Sequence, residues 1–153
     1  MIESRLQELG FSLPTPSPAL ANYVPFLKIG SFVFISGQIP AWNGRVEYIG
    51  AIGNGFSIEE GQTAARLCAL NILAQLKEAC GGDWNQVVRC IRLGGFVHST
   101  DDFKDQAAIM NGASDLMVAV FGEKGRHIRT AVGVNALPLG VAVEIDAIFE
   151  VVK

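Results

Sequence analysis

The run Phe32-Val33-Phe34-Ile35 puts large apolar side chains on both sides of any strand it forms, because successive residues of a strand point to opposite faces. Such a strand has to be covered twice. Tyr23–Ile29 and Ser31–Ile35 flank Gly30 and read as two strands of a hairpin, which Ser36-Gly37-Gln38-Ile39-Pro40 ends. Helical cover is limited to two long segments. Ser57-Ile58-Glu59-Glu60 has capping-box spacing, and apolar residues at 65, 68, 69, 72, 76 and 79 then recur at helical period until Gly81-Gly82. Thr100 or Asp101 is placed to cap a second helix that runs to about Phe121 and closes at Gly122. Gln86–His98, Ile128–Asn135 and Val141–Val151 predict three more strands, the last two joined by Ala136-Leu137-Pro138-Leu139-Gly140. Between Ala41 and Phe56, Gly44, Gly50, Gly53 and Gly55 predict a loop with a short strand near Val46.

The resulting order is β-β-α-β-α-β-β, an α+β domain spanning 1–153. Residues 1–22 form an N-terminal arm. Within it Ile2–Leu9 suits a short amphipathic helix, whereas Ser12-Leu-Pro-Thr-Pro-Ser-Pro18 fits neither a helix interior nor a central strand and reads as extended. Two helices cover one face of a sheet that is apolar on both. A second copy of the chain is the expected cover for the other face, with a monomer carrying an apolar groove as the alternative.

With half of the residues hydrophobic and 18% charged, the chain is ordered rather than disordered. Its 12 basic and 15 acidic residues, net charge −3, carry no electrostatic footprint for a nucleic-acid backbone. No apolar run approaches the roughly 20 residues that cross a bilayer, and no membrane partner is expected. Cys68, Cys80 and Cys90 are an odd set without framework spacing, and the first residues lack a signal-peptide pattern, so a cytoplasmic location is expected. His98 and His127 stand far apart with no metal-ligand spacing around them, so no metal is expected. Gly50-Ala-Ile-Gly53-Asn-Gly55 lacks the Gly-Lys-Ser/Thr ending of a phosphate loop and reads as a turn. Cys68 falls on the buried stripe of its helix, where a small hydrophobe belongs.

The last two strands carry the candidate chemistry. Alternation in Ile128–Asn135 groups Arg129 with Ala131, Gly133 and Asn135, so a guanidinium stands beside two very small residues over a concave strip of backbone. That suits a small carboxylate held by a forked pair of hydrogen bonds; a solvated Arg on an edge strand is the plainer alternative. In the final strand, Glu144 lies on the face that Arg129 could share. Across a hairpin the two could form an exposed ion pair worth under about 1 kcal/mol. In a cleft between subunits, the Arg could instead hold a substrate carboxylate while the Glu moves protons to and from an attacking water.

Six landmarks, in order and spacing, resemble the RidA/YjgF reactive-intermediate deaminases: Ser36-Gly37-Gln38-Ile39-Pro40, Phe96-Val-His-Ser-Thr-Asp-Asp-Phe103, Asn111, Arg129, Leu137-Pro138 and Val143-Glu144-Ile145. The resemblance covers roughly Tyr23 to Val151. It implies a chorismate-mutase-like fold, a homotrimer with helices outside and clefts between subunits, and no metal or organic cofactor. It also implies hydrolysis of enamines and imines such as 2-iminopropanoate and 2-iminobutanoate to 2-keto acids and ammonia. Arg129 matches the family's carboxylate-binding residue and Glu144 its water-positioning acid. Tyr23, Ser36, Gly37, Asn111 and Ala131 match pocket-lining positions. His127 and Ala131 depart from the usual family residues around the Arg, and the arm and extra residues before Asn111 mark a longer, divergent subgroup. A non-catalytic, carboxylate-binding regulatory trimer is the alternative function, and the ribonuclease activity ascribed to some members fits the charge poorly.

Overall fold

The computed structural model describes residues 2–153. It contains α1 (Ile2–Glu8), β1 (Phe26–Ile29), β2 (Phe32–Gln38), β3 (Ala41–Trp42), β4 (Arg45–Val46), β5 (Ala51–Ile52), β6 (Gly55–Phe56), α2 (Ile58–Ala79), β7 (Val87–His98), α3 (Gln106–Phe121), β8 (Ile128–Val134) and β9 (Val143–Val151). The long elements follow the predicted order. The capping box at the start of α2 is complete: the Ser57 hydroxyl accepts from the Glu60 N–H, and the Glu60 carboxylate accepts from the Ser57 N–H.

The stretch from 41 to 56 is more regular than a loop. Asn43 and Gly44 both take positive φ, the geometry of a tight hairpin turn, so β3 pairs with β4 across them. The β5–β6 pair follows, and the Ile52 carbonyl accepts from the Thr100 N–H. That contact also explains why α3 begins later than either proposed cap. The Thr100 hydroxyl donates to Asp102, the chain turns through Phe103, and Asp105 occupies the cap position with no side-chain cap bond.

The main sheet has the order β1-β2-β9-β7-β8. β7 and β8 run parallel, joined by α3 as a crossover; the other neighbours are antiparallel. The last two strands are therefore not a hairpin. β9 buries Val143, Ile145, Ala147, Phe149 and Val151 on one face and is half-buried on the other, which suits a central strand. β8, with exposed Ile128, Thr130 and Val132, takes the edge.

α2 and α3 lie on one face of this sheet. Leu73 and Leu76 of α2, Ile109, Met110 and Met117 of α3, and Leu93, Val97, Ile145 and Phe149 of the strands are all fully buried between the layers. The other face is left uncovered by the described residues. Phe32 and Phe34 are each 42% exposed there, beside exposed Leu27 and Ile29, and Phe96, Ile128 and Val132 continue the apolar surface toward β8. The two-faced character of Phe32-Val33-Phe34-Ile35 is thus realised, with Val33 and Ile35 in the core and the two Phe rings outside.

Candidate functional site

Glu144 sits on β9 facing the uncovered side, in a row with Phe96 of β7 and Val132 of β8. Beside it β2 carries one extra residue between Ile35 and Gln38, a bulge that brings Ser36 and Gly37 against the Glu144 side chain. A Cβ at Gly37 would overlap the Glu144 carboxylate, so only glycine allows this approach. Ser36 is fixed by its hydroxyl, which donates to the Pro25 carbonyl at 3.1 Å, while the buried Gln38 amide donates to the Ser36 carbonyl at 3.2 Å. Tyr23, Ser36 and Gly37 stand between two hollows. One, of about 410 Å³, runs from Glu144 under the N-terminal arm. The other, of about 440 Å³, runs across the uncovered face to Arg92 and Asp146.

Glu144 has neither a hydrogen-bond nor an ion-pair partner among the described residues. Burial raises its pKa above the usual carboxylate value, and the nearby charge of Asp146 adds to the rise. Asp146 is itself raised by burial, partly offset by Arg92, whose guanidinium lies 3.5 Å away, and by the Gly94 N–H. Cys68 lies under this strand with its thiol against the Val143 carbonyl, and burial followed by the Glu144 charge pushes it well up, so it stays an inert thiol.

Arg129 lies elsewhere. It pairs with Leu93, which pairs with Ala147, a row that faces the helices. Its guanidinium reaches α3: Nη1 donates to Asn111 Oδ1 at 2.9 Å and Ser114 Oγ at 3.0 Å, and Nη2 donates to the Ala107 carbonyl at 3.1 Å. Among the described residues the Nε–H and one Nη2–H have no partner. Ser114 contacts His127 Nε2 at 2.9 Å, and His127 Nδ1 lies 2.6 Å from the Gly125 carbonyl. A carbonyl only accepts, so Nδ1 carries the proton; in a neutral ring Nε2 then accepts from the Ser114 hydroxyl, whose oxygen is free to receive the Arg129 donor.

The proposed site residues thus fall into two clusters. Tyr23, Ser36, Gly37 and Glu144 form one, and Arg129 and Asn111 the other. Glu144 and Arg129 do not share a face: β7 runs between their strands, and they point to opposite sides of the sheet. The concave strip expected beside Arg129 is roofed by α3, with the Gln106 amide and the Ser99 hydroxyl over Gly133, while Ala131 packs on the core next to Gly95. Sequence reasoning missed Ser114 and His127. Ser114 follows Asn111 by three positions on the same helix face, a spacing that could have flagged it. Among the described residues no three of His, Cys, Asp and Glu group as metal ligands, and no helix is long and apolar enough to cross a membrane.

The model of a protein family described as YjgF/chorismate mutase-like, putative endoribonuclease, matches residues 3–150. The chain is 43% identical over 150 residues to Protein TCP17 of Trypanosoma cruzi, covering 97% of this chain and 93% of that protein. Among solved structures, the protein Atu1372 of unknown function from Agrobacterium tumefaciens is 48% identical with a TM-score of 0.91, covering 98% of this chain and 93% of that one. TdcF of E. coli, solved with bound serine, is 27% identical with a TM-score of 0.62, covering 90% and 92%.

Proposed function

We propose, because the chain belongs to the YjgF/RidA family, that it hydrolyses small 2-imino acids, or their enamine tautomers, to 2-keto acids and ammonia in a cleft between subunits of a homotrimer. The observation that supports this reading is that Glu144, which has no polar partner among the described residues, and Arg129 lie on opposite faces of the sheet. Within one chain they cannot meet on a small ligand. Packing of the uncovered apolar face against further copies would bring Arg129 of the partner subunit to the Glu144 cleft and remove the exposed Phe32, Phe34 and Phe96 from water.

In the assembled cleft the unpartnered Nε–H and Nη2–H of Arg129 hold the substrate carboxylate by a fork. Its three bonds to α3 fix the guanidinium before the ligand arrives. A water beside Glu144 adds to the C=N carbon, giving one proton to the carboxylate, and the nitrogen takes up a proton from solvent to form the carbinolamine. The same carboxyl then delivers its proton to the departing nitrogen, the carbinolamine hydroxyl gives its proton to solvent as the C=O forms and the C–N bond breaks, and the 2-keto acid and ammonia leave. A carboxyl raised above its usual pKa and free of partners suits both roles. That TdcF has been crystallised with serine supports the ability of this fold to hold a small amino or carboxylic acid.

A regulatory carboxylate-binding trimer is the second reading, favoured by the three bonds that tie Arg129 into its own chain. RNA cleavage has less support, since the net charge is −3 and Arg92 on the uncovered face is paired with Asp146. Ammonia release from freshly generated 2-imino acids, run beside light scattering on the same preparation, separates them. Turnover by a trimer is expected. Carboxylate binding with no acceleration selects the regulatory reading, and a monomer mass at micromolar concentration removes the composite site.

A further inference from the structure

We propose that the N-terminal arm makes this site selective for 2-imino acids with a bulky apolar substituent. The inference rests on the reading of the cleft given above and names its substrate class. The hollow at Glu144 measures about 410 Å³ in all and extends between the arm and the β3–β4 hairpin, walled by Pro18, Leu20, Ile39, Ala41, Val46 and Pro138. At roughly 30 Å³ per water-sized group, a three-carbon imino acid with six non-hydrogen atoms fills less than half of it. The rest is apolar and would hold water poorly. A cleft of this size, lined mostly by apolar residues with Glu144 as its charged side chain, matches a ligand whose charged head lies at Ser36, Gly37 and Glu144 and whose hydrocarbon lies under the arm.

The arm is a built wall rather than a stray segment. Two polar side chains on α2, Asn71 and Gln75, are almost completely buried, which is costly unless each is hydrogen-bonded. Both spend their amides on the walls of this hollow. Gln75 Nε2 donates to the Ser17 carbonyl at 2.7 Å, and Asn71 Nδ2 donates to the Ala41 carbonyl at 2.7 Å. The Ser17 hydroxyl adds a contact to Asn71 Oδ1 at 3.4 Å, and the Thr15 N–H donates to Asn43 Oδ1 at 2.7 Å, joining the arm to the hairpin opposite. One helix thereby clasps both walls at a fixed separation. The apolar pocket exists before ligand enters.

Calorimetry on the full-length protein with pyruvate, 2-oxobutanoate, 4-methyl-2-oxopentanoate and phenylpyruvate, product-side analogues that share one carboxylate head, tests this. Affinity is expected to rise about fourfold for each methylene that becomes buried. Ala19→Phe, on the arm and away from the folding core, is expected to cut the ratio of phenylpyruvate to pyruvate affinity by at least tenfold. Gln75→Leu, which keeps the bulk but releases Ser17, should reduce the same ratio. A flat series in the parent protein overturns the apolar pocket while leaving the carboxylate site in place. If no acid binds and Arg129→Ala changes nothing, the site itself is wrong and the inference falls with it.

Discussion

Arg129 and Glu144 are the two charged residues of the proposed chemistry, and the fold treats them in opposite ways. Arg129 is held by three oxygens of α3 and backed by a Ser114–His127 pair, so its position is set by the chain that carries it. Glu144 has no polar partner among the described residues, is half-buried beside Asp146, and lies where a side chain at Gly37 would overlap it. The contrast teaches which residue is preorganised and which is poised. A cation that grips the same carboxylate in ground and transition states gains from being fixed. A carboxyl that accepts and returns a proton within one turnover gains from having no fixed donor to compete with water.

Removing the poised residue is expected to have the largest effect. Glu144→Gln should slow hydrolysis by roughly 10²–10⁴-fold with little change in 2-keto acid affinity. Imino-acid kinetics at the parent rate would reduce Glu144 to a half-buried acid without a catalytic part and collapse the contrast. Arg129→Ala comes next, weakening 2-keto acid binding by about 2–4 kcal/mol if the cleft is desolvated, read by calorimetry. An unchanged dissociation constant would mean that Arg129 serves only to fasten β8 to α3.

How much of this was legible depends on whether the information was local. The capping box of α2, the two-faced strand β2 and the alternation of β9 are local patterns, and each appears where the sequence put it. The placement of β8 was not legible. Two successive strands with a short connection look like a hairpin, and only the crossover through α3 and the burial of β9 between β2 and β7 set them on either side of another strand. That misplacement put Arg129 and Glu144 on one face. The Gly37–Glu144 contact escaped for the same reason, since it arises from a bulge that changes register over one residue. The roles of Asn71 and Gln75 were not legible either, because what they hold is a segment more than 50 residues distant in sequence.

A pH series sharpens the comparison further. The water-activating form of Glu144 is the carboxylate, and its pKa is raised by burial and by Asp146. The acid limb of the kcat/KM profile should therefore have its midpoint above the usual glutamate value. Stability runs the other way. A carboxyl whose folded pKa lies above its unfolded value binds more protons when folded, so its contribution to stability declines as pH rises from the unfolded toward the folded pKa. Glu144→Gln should consequently melt somewhat higher than the parent at neutral pH, measured by calorimetric scanning. A lower melting temperature would show that the carboxylate is stabilised by a contact formed in the assembly.

The smallest effect belongs to a carboxylate of the opposite kind. Glu3, in α1, accepts from Lys77 Nζ at 2.8 Å and from Trp84 Nε1 at 3.2 Å, and these bonds, Lys77 first, hold its pKa below the usual value. It is a fastened acid where Glu144 is a poised one. Because its folded pKa is depressed, its contribution is present above the unfolded pKa and lost as pH falls through the folded one. Both partners are substantially exposed, so solvent screening limits the pair to under about 1 kcal/mol. At about 2–4 °C per kcal/mol in a chain of this size, Glu3→Gln should lower the melting temperature by no more than about 4 °C at neutral pH. The difference should vanish in acid, where the parent's own Glu3 is protonated. The two Gln substitutions therefore move stability in opposite directions at pH 7. If both lower it equally, the distinction between a fastened and a poised carboxylate has no thermodynamic content in this protein.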